Sequence, residues 1–313
     1  MSEMRVPLRY SDEAAEGLNE GPTRRDLERL LRHYRVGELR AARRAERGFV
    51  NDNWIVDTTT SRLFVKRRHP LLCQPELIRA QHSLIHRLRE SAFPAPTIVP
   101  TITTETFLVI DGDWYEIQEY IEGAPYEHDR LTHLEEAALT LGRYHTLVQG
   151  FAPKALRRPN QEVRPARVAR SLTDLITSWQ LPQDPEGADI ARQLEADAAD
   201  LTACFSEHGP LYDLVIHGDY YADNLIFNGD QIVGVVDYDK ACWQPRVREL
   251  AEALIYFSSP RPGHMKHIVY SGHLRWEPFS VFLRSYAETA TLDDEEIRVL
   301  PDYIGCIWLL FSL

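Results

Sequence analysis

The chain has 313 residues, a formal charge of −12 at pH 7 and 44% hydrophobic content, enough for about two domains with ample core. The acidic balance argues against a nucleic-acid binder, which wants a basic face. Cys73, Cys204, Cys242 and Cys306 are scattered and form no CxxC pair or secreted-type disulfide framework. The polar start of the chain lacks an apolar signal core, and no apolar run is long enough to span a membrane. A soluble cytoplasmic enzyme is the expectation.

Residues 1–21 carry acids and glycine with little periodicity and read as a lead-in. Thr23 followed by Asp26 is a helix-start signature, and Leu27, Leu30, Leu31 and Tyr34 share one helical face. Gly37 is the expected stop. Residues 48–66 predict a strand, a turn over Gly48 to Asn53, and a second strand over Leu63 to Lys66, with Trp54 to Val56 as the strand after the turn. Pro75 opens a helix whose buried stripe is Leu77, Ala80, Leu84, Ile85 and Leu88; Pro94 and Pro96 stop it. Phe107 to Ile110 and Trp114 to Ile121 flank Asp111-Gly112, a hairpin signal.

Further on, Leu134, Ala138, Leu141, His145 and Val148 share a helical face, on which His145 reads as a packed core histidine. Residues 153–190, rich in proline and arginine, predict a variable helical insertion, and 187–207 an exposed helix. Val247, Leu250, Ala251, Leu254 and Ile255 mark another helix. The segment from Ser258 to Trp276 holds His264, His267 and His273. With no cysteine near, a zinc reading is weak, and a substrate-side loop is the expectation. Ile297 to Leu313 predicts an apolar helix whose end must be buried or paired with another subunit.

The segment 215–239 carries the chemistry. Leu225 to Phe227 and Ile232 to Val236 are short, β-branched-rich runs with Asn228-Gly229 between them, which predicts a tight hairpin. Its open ends carry Asn224 and Asp237. A carboxylate and an amide oxygen held side by side suit a hard cation such as magnesium. Asp219 lies five residues before Asn224, directly after the apolar run and His217-Gly218. Asp and Asn are also ordinary turn residues. The conjunction of strand, His-Gly-Asp, offset, hairpin and second acid is what points to a site.

His-Gly-Asp-x-x-x-x-Asn followed by Asp-x-Asp resembles the aminoglycoside phosphotransferase and choline kinase superfamily, and is similar to type II homoserine kinases. Asp-x-x-x-x-Asn is also the catalytic-loop spacing of protein kinases. Here, however, His-Gly-Asp stands in place of His-Arg-Asp, and Tyr238-Asp239 in place of Phe-Gly. The resemblance spans residues 40–310. It implies an α+β, two-lobed protein-kinase-like fold: a small antiparallel-sheet lobe over 1–121 and a larger, mostly helical lobe over 122–313. It also implies ATP and magnesium as cofactors and the hydroxyl of a small molecule as acceptor: an amino alcohol, homoserine, a sugar or an aminoglycoside.

Carried residue by residue, the resemblance makes Asp219 the group that receives the hydroxyl proton, Asn224 and Asp237 the magnesium ligands, and Lys66 the anchor of the nucleotide phosphates. Gly48 and Asn53 fall at the phosphate-covering loop, whose glycine content is sparse. Glu119 and Ile121 fall at the hinge, whose backbone reads the adenine edge. A helix glutamate partners the strand lysine in the family. Gln81 stands there, so Gln81 or an acid elsewhere must orient Lys66. Lys66 also reads as a solvated strand-end lysine beside Arg67 and Arg68. Asp239 either assists the metal or is a loop acid, and His217 braces the loop. No nucleic-acid or membrane partner is expected, and the chain is a monomer or homodimer.

Three other readings stay open. A protein Ser/Thr kinase is one, opposed by the missing activation-loop and Ala-Pro-Glu signals. A pseudokinase, binding nucleotide without turnover, is favoured by Gln81 and the sparse glycines. An enzyme of the same fold that moves AMP instead of phosphate is the third.

Overall fold

The computed structural model describes residues 21–45, 50–158, 163, 185–260 and 273–312. Gly48, His264, His267 and most of the 153–190 segment lie outside them. The chain divides into two compact units. One comprises 1–124 with 226–228 and 233–239; the other comprises 125–225, 229–232 and 240–313.

The first unit is built on a five-stranded antiparallel sheet in the order β1-β2-β3-β5-β4. The strands are β1 (Leu39–Arg44), β2 (Asp52–Thr58), β3 (Arg62–Arg67), β4 (Leu108–Ile110) and β5 (Asp113–Glu119). Helix α1 (Arg24–Leu31) starts as its sequence predicts. The Thr23 side chain accepts from the Asp26 N–H, and Asp26 accepts from the Thr23 N–H, a reciprocal cap. Its Leu27, Leu30 and Leu31 are buried against Val56, Val65 and Ile117, each such side chain contributing about 1.5–3 kcal/mol. The helix ends well before Gly37. That glycine, at φ +78°, instead serves the turn into β1. Helix α2 (Pro75–Glu90) has proline in its first turn and buries Leu77, Ile78, Leu84 and Leu88. The β4–β5 turn falls on Asp111 (φ +53°) and Gly112 (φ +92°), the paired positive angles of a type I′ turn.

Two features depart from expectation. β1 is a strand that Leu-Arg-Ala-Ala-Arg-Arg does not announce. It is a charged, mostly exposed edge strand, and charge on an edge blocks further pairing. Asn53 lies within β2, paired with Lys66, rather than in a turn.

The second unit holds five helices among its described residues: α3 (Leu131–Leu147), α4 (Pro185–Ser206), α5 (Arg246–Ser258), α6 (Trp276–Thr289) and α7 (Asp294–Ser312). α3 and α6 pack closely, because Gly142 faces Thr289 and the Tyr286 carbonyl with no space for a Cβ. α4 is largely exposed, as expected. α5 is buried on nearly every side, so its charged residues must find partners inside the fold. Arg246 meets Glu296 at 2.6 Å and Arg248 meets Glu252 at 2.9 Å. A two-stranded sheet pairs β7 (Asp213–Ile216) with β10 (Cys242–Pro245). β6 (Ala124–Pro125), β8 (Leu225–Asn228) and β9 (Gln231–Val235) form a third sheet. The β8–β9 turn is Gly229-Asp230, with Gly229 alone at positive φ (+60°). This is the glycine-first pattern of a type II′ turn, one residue later than Asn228-Gly229. No described helix is long and apolar enough to cross a membrane.

Candidate active site

In the first unit, β3 delivers Lys66 into a buried charge cluster. Its side chain is 4% exposed. Nζ lies 3.2 Å from Asp237 Oδ1, 3.2 Å from Asp239 Oδ2 and 3.7 Å from Glu116 Oε1. Burial pushes the Lys66 ammonium down, but Asp237, Asp239 and Glu116 more than offset it and raise it above the ordinary lysine value. Lys66 is therefore a fixed cation, not a solvated strand end.

Glu116 comes from β5, directly across the ladder from Lys66. It is 1% exposed and receives Arg68 at 2.7 Å, His82 Nε2 at 3.1 Å and Gln118 Nε2 at 3.0 Å. Burial pushes its carboxyl up, yet Arg68, Lys66 and His82 hold it well below the usual range. Asp239 behaves alike: burial raises it, Arg68 and Lys66 lower it further, and Asn51 Nδ2 donates to it at 2.6 Å. Asp239 is thus a buried partner of two cations and not a solvated loop acid. Gln81 does not bind Lys66. Its Nε2 donates to the Asp239 carbonyl at 2.9 Å, and its Oε1 has no hydrogen-bond partner among the described residues. The charge that a helix glutamate would bring comes instead from strand β5.

Two cations, Lys66 and Arg68, face three carboxylates: Glu116, Asp239 and Asp237. Asp237 is the outermost, with 36% of its side chain exposed, and its backbone sits at φ +67°. Aspartate is among the few non-glycine residues that visit that region. The surplus negative charge and the exposed carboxylate suit a hard cation. Among the described residues no group of three or more His, Cys, Asp or Glu forms a closed metal cage. Buried Asn53 also has an unpartnered Oδ1. At the expected hinge, Glu119 is exposed and its N–H is engaged by the Thr97 carbonyl. Ile121 packs over Gly234.

The second unit holds the His-Gly-Asp loop, which follows β7. Glu249, on the buried helix α5, accepts from the His217 N–H at 3.1 Å and the Gly218 N–H at 2.6 Å. Its Oε2 also meets His145 Nε2 at 2.9 Å, and His145 Nδ1 meets the Tyr286 hydroxyl at 2.7 Å. His145 is fully buried, as its helix face predicts, but it also braces the acid that clamps the loop. Burial pushes Glu249 up; His145, His217 and the Gly218 N–H more than offset it, leaving it below the ordinary glutamate value.

Gly218 adopts φ +78°, and a Cβ there would press into the Lys240 carbonyl oxygen. Asp219 emerges 8% exposed. Asn224 Nδ2 donates to the Asp219 carbonyl at 2.8 Å and touches its Oδ2 at 3.3 Å. The amide nitrogen of Asn224 is therefore used on the loop, and its oxygen is the atom suited to a metal. Lys240 Nζ lies 2.6 Å from Asp219 Oδ1.

Against known proteins, residues 41–279 match the phosphotransferase enzyme family (APH). The homoserine kinase of Rhizobium meliloti (strain 1021) is 24% identical over 286 residues, covering 89% of this chain and 79% of that protein. That of Pseudomonas aeruginosa (strain LESB58) is 26% identical over 249 residues, covering 77% and 72%. Among solved structures, amicoumacin kinase hAmiN in complex with AMP-PNP, Ca2+ and Ami aligns with a TM-score of 0.68 at 14% identity, covering 96% of this chain and 86% of that one. The microcompartment-associated aminopropanol kinase aligns at 0.60 and 16% identity, covering 91% and 87%. These likenesses establish the kinase-like α+β fold. The family match runs through Lys66, Asp219, Asn224 and Asp237 alike, and the chain belongs to the phosphotransferase enzyme family.

Proposed function

We propose that this chain is an ATP- and magnesium-dependent kinase that moves the γ-phosphoryl group to the hydroxyl of a small molecule. The observation that carries the reading is the mounting of Asp219. It is nearly buried and held at Oδ1 by Lys240 and at Oδ2 by Asn224, on a loop whose two preceding N–H groups are fixed by one carboxylate.

Phosphoryl transfer passes through a loose transition state, so catalysis is mainly positioning and charge compensation. Asp219 accepts a hydrogen bond from the acceptor hydroxyl, aims its oxygen and takes its proton. Lys66 steadies the nucleotide phosphates. Asn224 Oδ1 and the Asp237 carboxylate would hold magnesium, whose charge would offset that of the phosphates. Arg68, Glu116 and Asp239 keep Lys66 in place.

The curated relatives named above are homoserine kinases, and the aligned structures are kinases of amicoumacin and of aminopropanol. These support a hydroxyl on a small, amine-bearing molecule as the first acceptor class to try. The Gln81 departure that favours a pseudokinase weighs less, because Glu116 supplies the missing charge.

The test is ADP release from Mg-ATP against homoserine, amino alcohols, sugars and aminoglycosides. Asp219→Asn is run beside the wild type. One acceptor class is expected to turn over. Asp219→Asn lowers kcat about 10²–10⁴-fold with nucleotide affinity retained. Near-normal turnover in that variant sinks the assignment.

A further inference from the structure

Lys240 stands at the reactive carboxylate, and the His-Gly-Asp motif does not account for it. It ends the short 3-10 turn Tyr238–Lys240. Its carbonyl oxygen lies against Gly218, so its main chain is fitted to the His-Gly-Asp loop. Its ammonium lies 2.6 Å from Asp219 Oδ1, and 37% of its side chain is exposed, against 8% for Asp219. The other cation nearby, Arg248, is turned to Glu252 at 2.9 Å, and both are only about an eighth exposed. Among the described residues, Lys240 combines contact with Asp219 and access to what arrives there.

We propose that Lys240 is a catalytic residue: it holds Asp219 and donates to the oxygens of the phosphoryl group in transit. The inference rests on the phosphotransfer reading above. The acceptor oxygen must be hydrogen-bonded to Asp219 and lie within about 3–3.5 Å of the phosphorus it attacks. A cation sharing the Asp219 carboxylate is then a near neighbour of the moving group. The transition state spreads negative charge over the phosphoryl oxygens, where a preplaced ammonium counts most. In the step, the bond from acceptor oxygen to phosphorus forms and the bond from phosphorus to the ADP oxygen breaks. The hydroxyl proton goes to Asp219, and Lys240 stays protonated throughout.

The experiment compares the wild type, Lys240→Met and Lys240→Arg with Mg-ATP and whichever panel acceptor turns over, reading kcat and KM separately and melting temperature alongside. Met keeps the stem without the charge; Arg restores the charge. We expect Lys240→Met to lower kcat about 10²-fold with the nucleotide KM within about threefold. Lys240→Arg recovers at least about tenfold of that loss. A kcat within about threefold of wild type in Lys240→Met overturns the proposal. So does a loss confined to KM, or one that arginine does not restore. No turnover by the wild type against the whole panel overturns the phosphotransfer reading, and this proposal with it.

Discussion

The two sets of candidate site residues, one in each unit, are held by different physics. In the first unit, Lys66, Arg68, Glu116 and Asp239 fix one another by charge, all deeply buried. In the second, one carboxylate, Glu249, fixes a loop through its main-chain N–H groups, and Asp219 is steadied from the side. A charge cluster holds sign and strength, so it suits the binding of a polyphosphate. A main-chain clamp holds position, so it suits the aiming of a single oxygen. The difference predicts that damage to the first half shows in stability and nucleotide affinity, and damage to the second in turnover.

The largest stability effect is expected from Glu116→Ala. It leaves two buried cations short of a partner, and removing one member of a buried ion network costs about 3–5 kcal/mol. Urea unfolding would measure it, and nucleotide affinity would fall with it. A loss below about 1 kcal/mol would mean that water or a rearranged Asp237 replaces Glu116 easily. The charge account of this half would then be wrong.

Glu249→Gln tests the other half. Its shape is kept while the anion that accepts two loop N–H groups is lost. kcat should drop about tenfold to a hundredfold, as misplacement of a reacting group does, with nucleotide KM little changed. The variant also carries a pH signature. The folded-state Glu249 titrates below its ordinary value of 4.5, so the unfolded chain binds more protons in acid. The stabilisation it brings is fully present above pH 4.5 and fades as pH falls through the depressed folded value. The stability gap between wild type and Glu249→Gln should therefore narrow on acidification below that point, and a gap that widens there would reverse the assigned sign.

The smallest effect should come from Thr23→Ala. It removes a helix cap on α1 that belongs to neither half, at a cost of about 1 kcal/mol. Turnover per folded molecule should be unchanged. A kcat change beyond twofold or so would show that the sheet region transmits strain to the site.

What the sequence made legible follows the same division. Local signals were sufficient for α1 with its cap, α2 with its proline start, the Asp111-Gly112 hairpin and the His-Gly-Asp loop with Asn224 five residues on. Each depends on residues a few positions apart. Glu116 was not legible as a partner of Lys66, because that pairing exists only once β3 and β5 are in register. Gln81 held the expected helix position, but position alone did not reveal that its amide serves the Asp239 carbonyl. Glu249 did leave a trace, an acid placed inside the apolar run around Val247 and Leu250 on a helix buried nearly all round. β1 left almost none, since an exposed, arginine-rich edge strand has no alternating pattern to read.

Gly218 bears on how such sequences can change. The middle position of His-Gly-Asp is closed twice over, by its φ of +78° and by the Lys240 carbonyl where a side chain would begin. The main chain at Gly218 and the Lys240 carbonyl therefore constrain each other. An arginine in place of Gly218, as in the His-Arg-Asp of protein kinases, requires the Lys240 carbonyl to move as well.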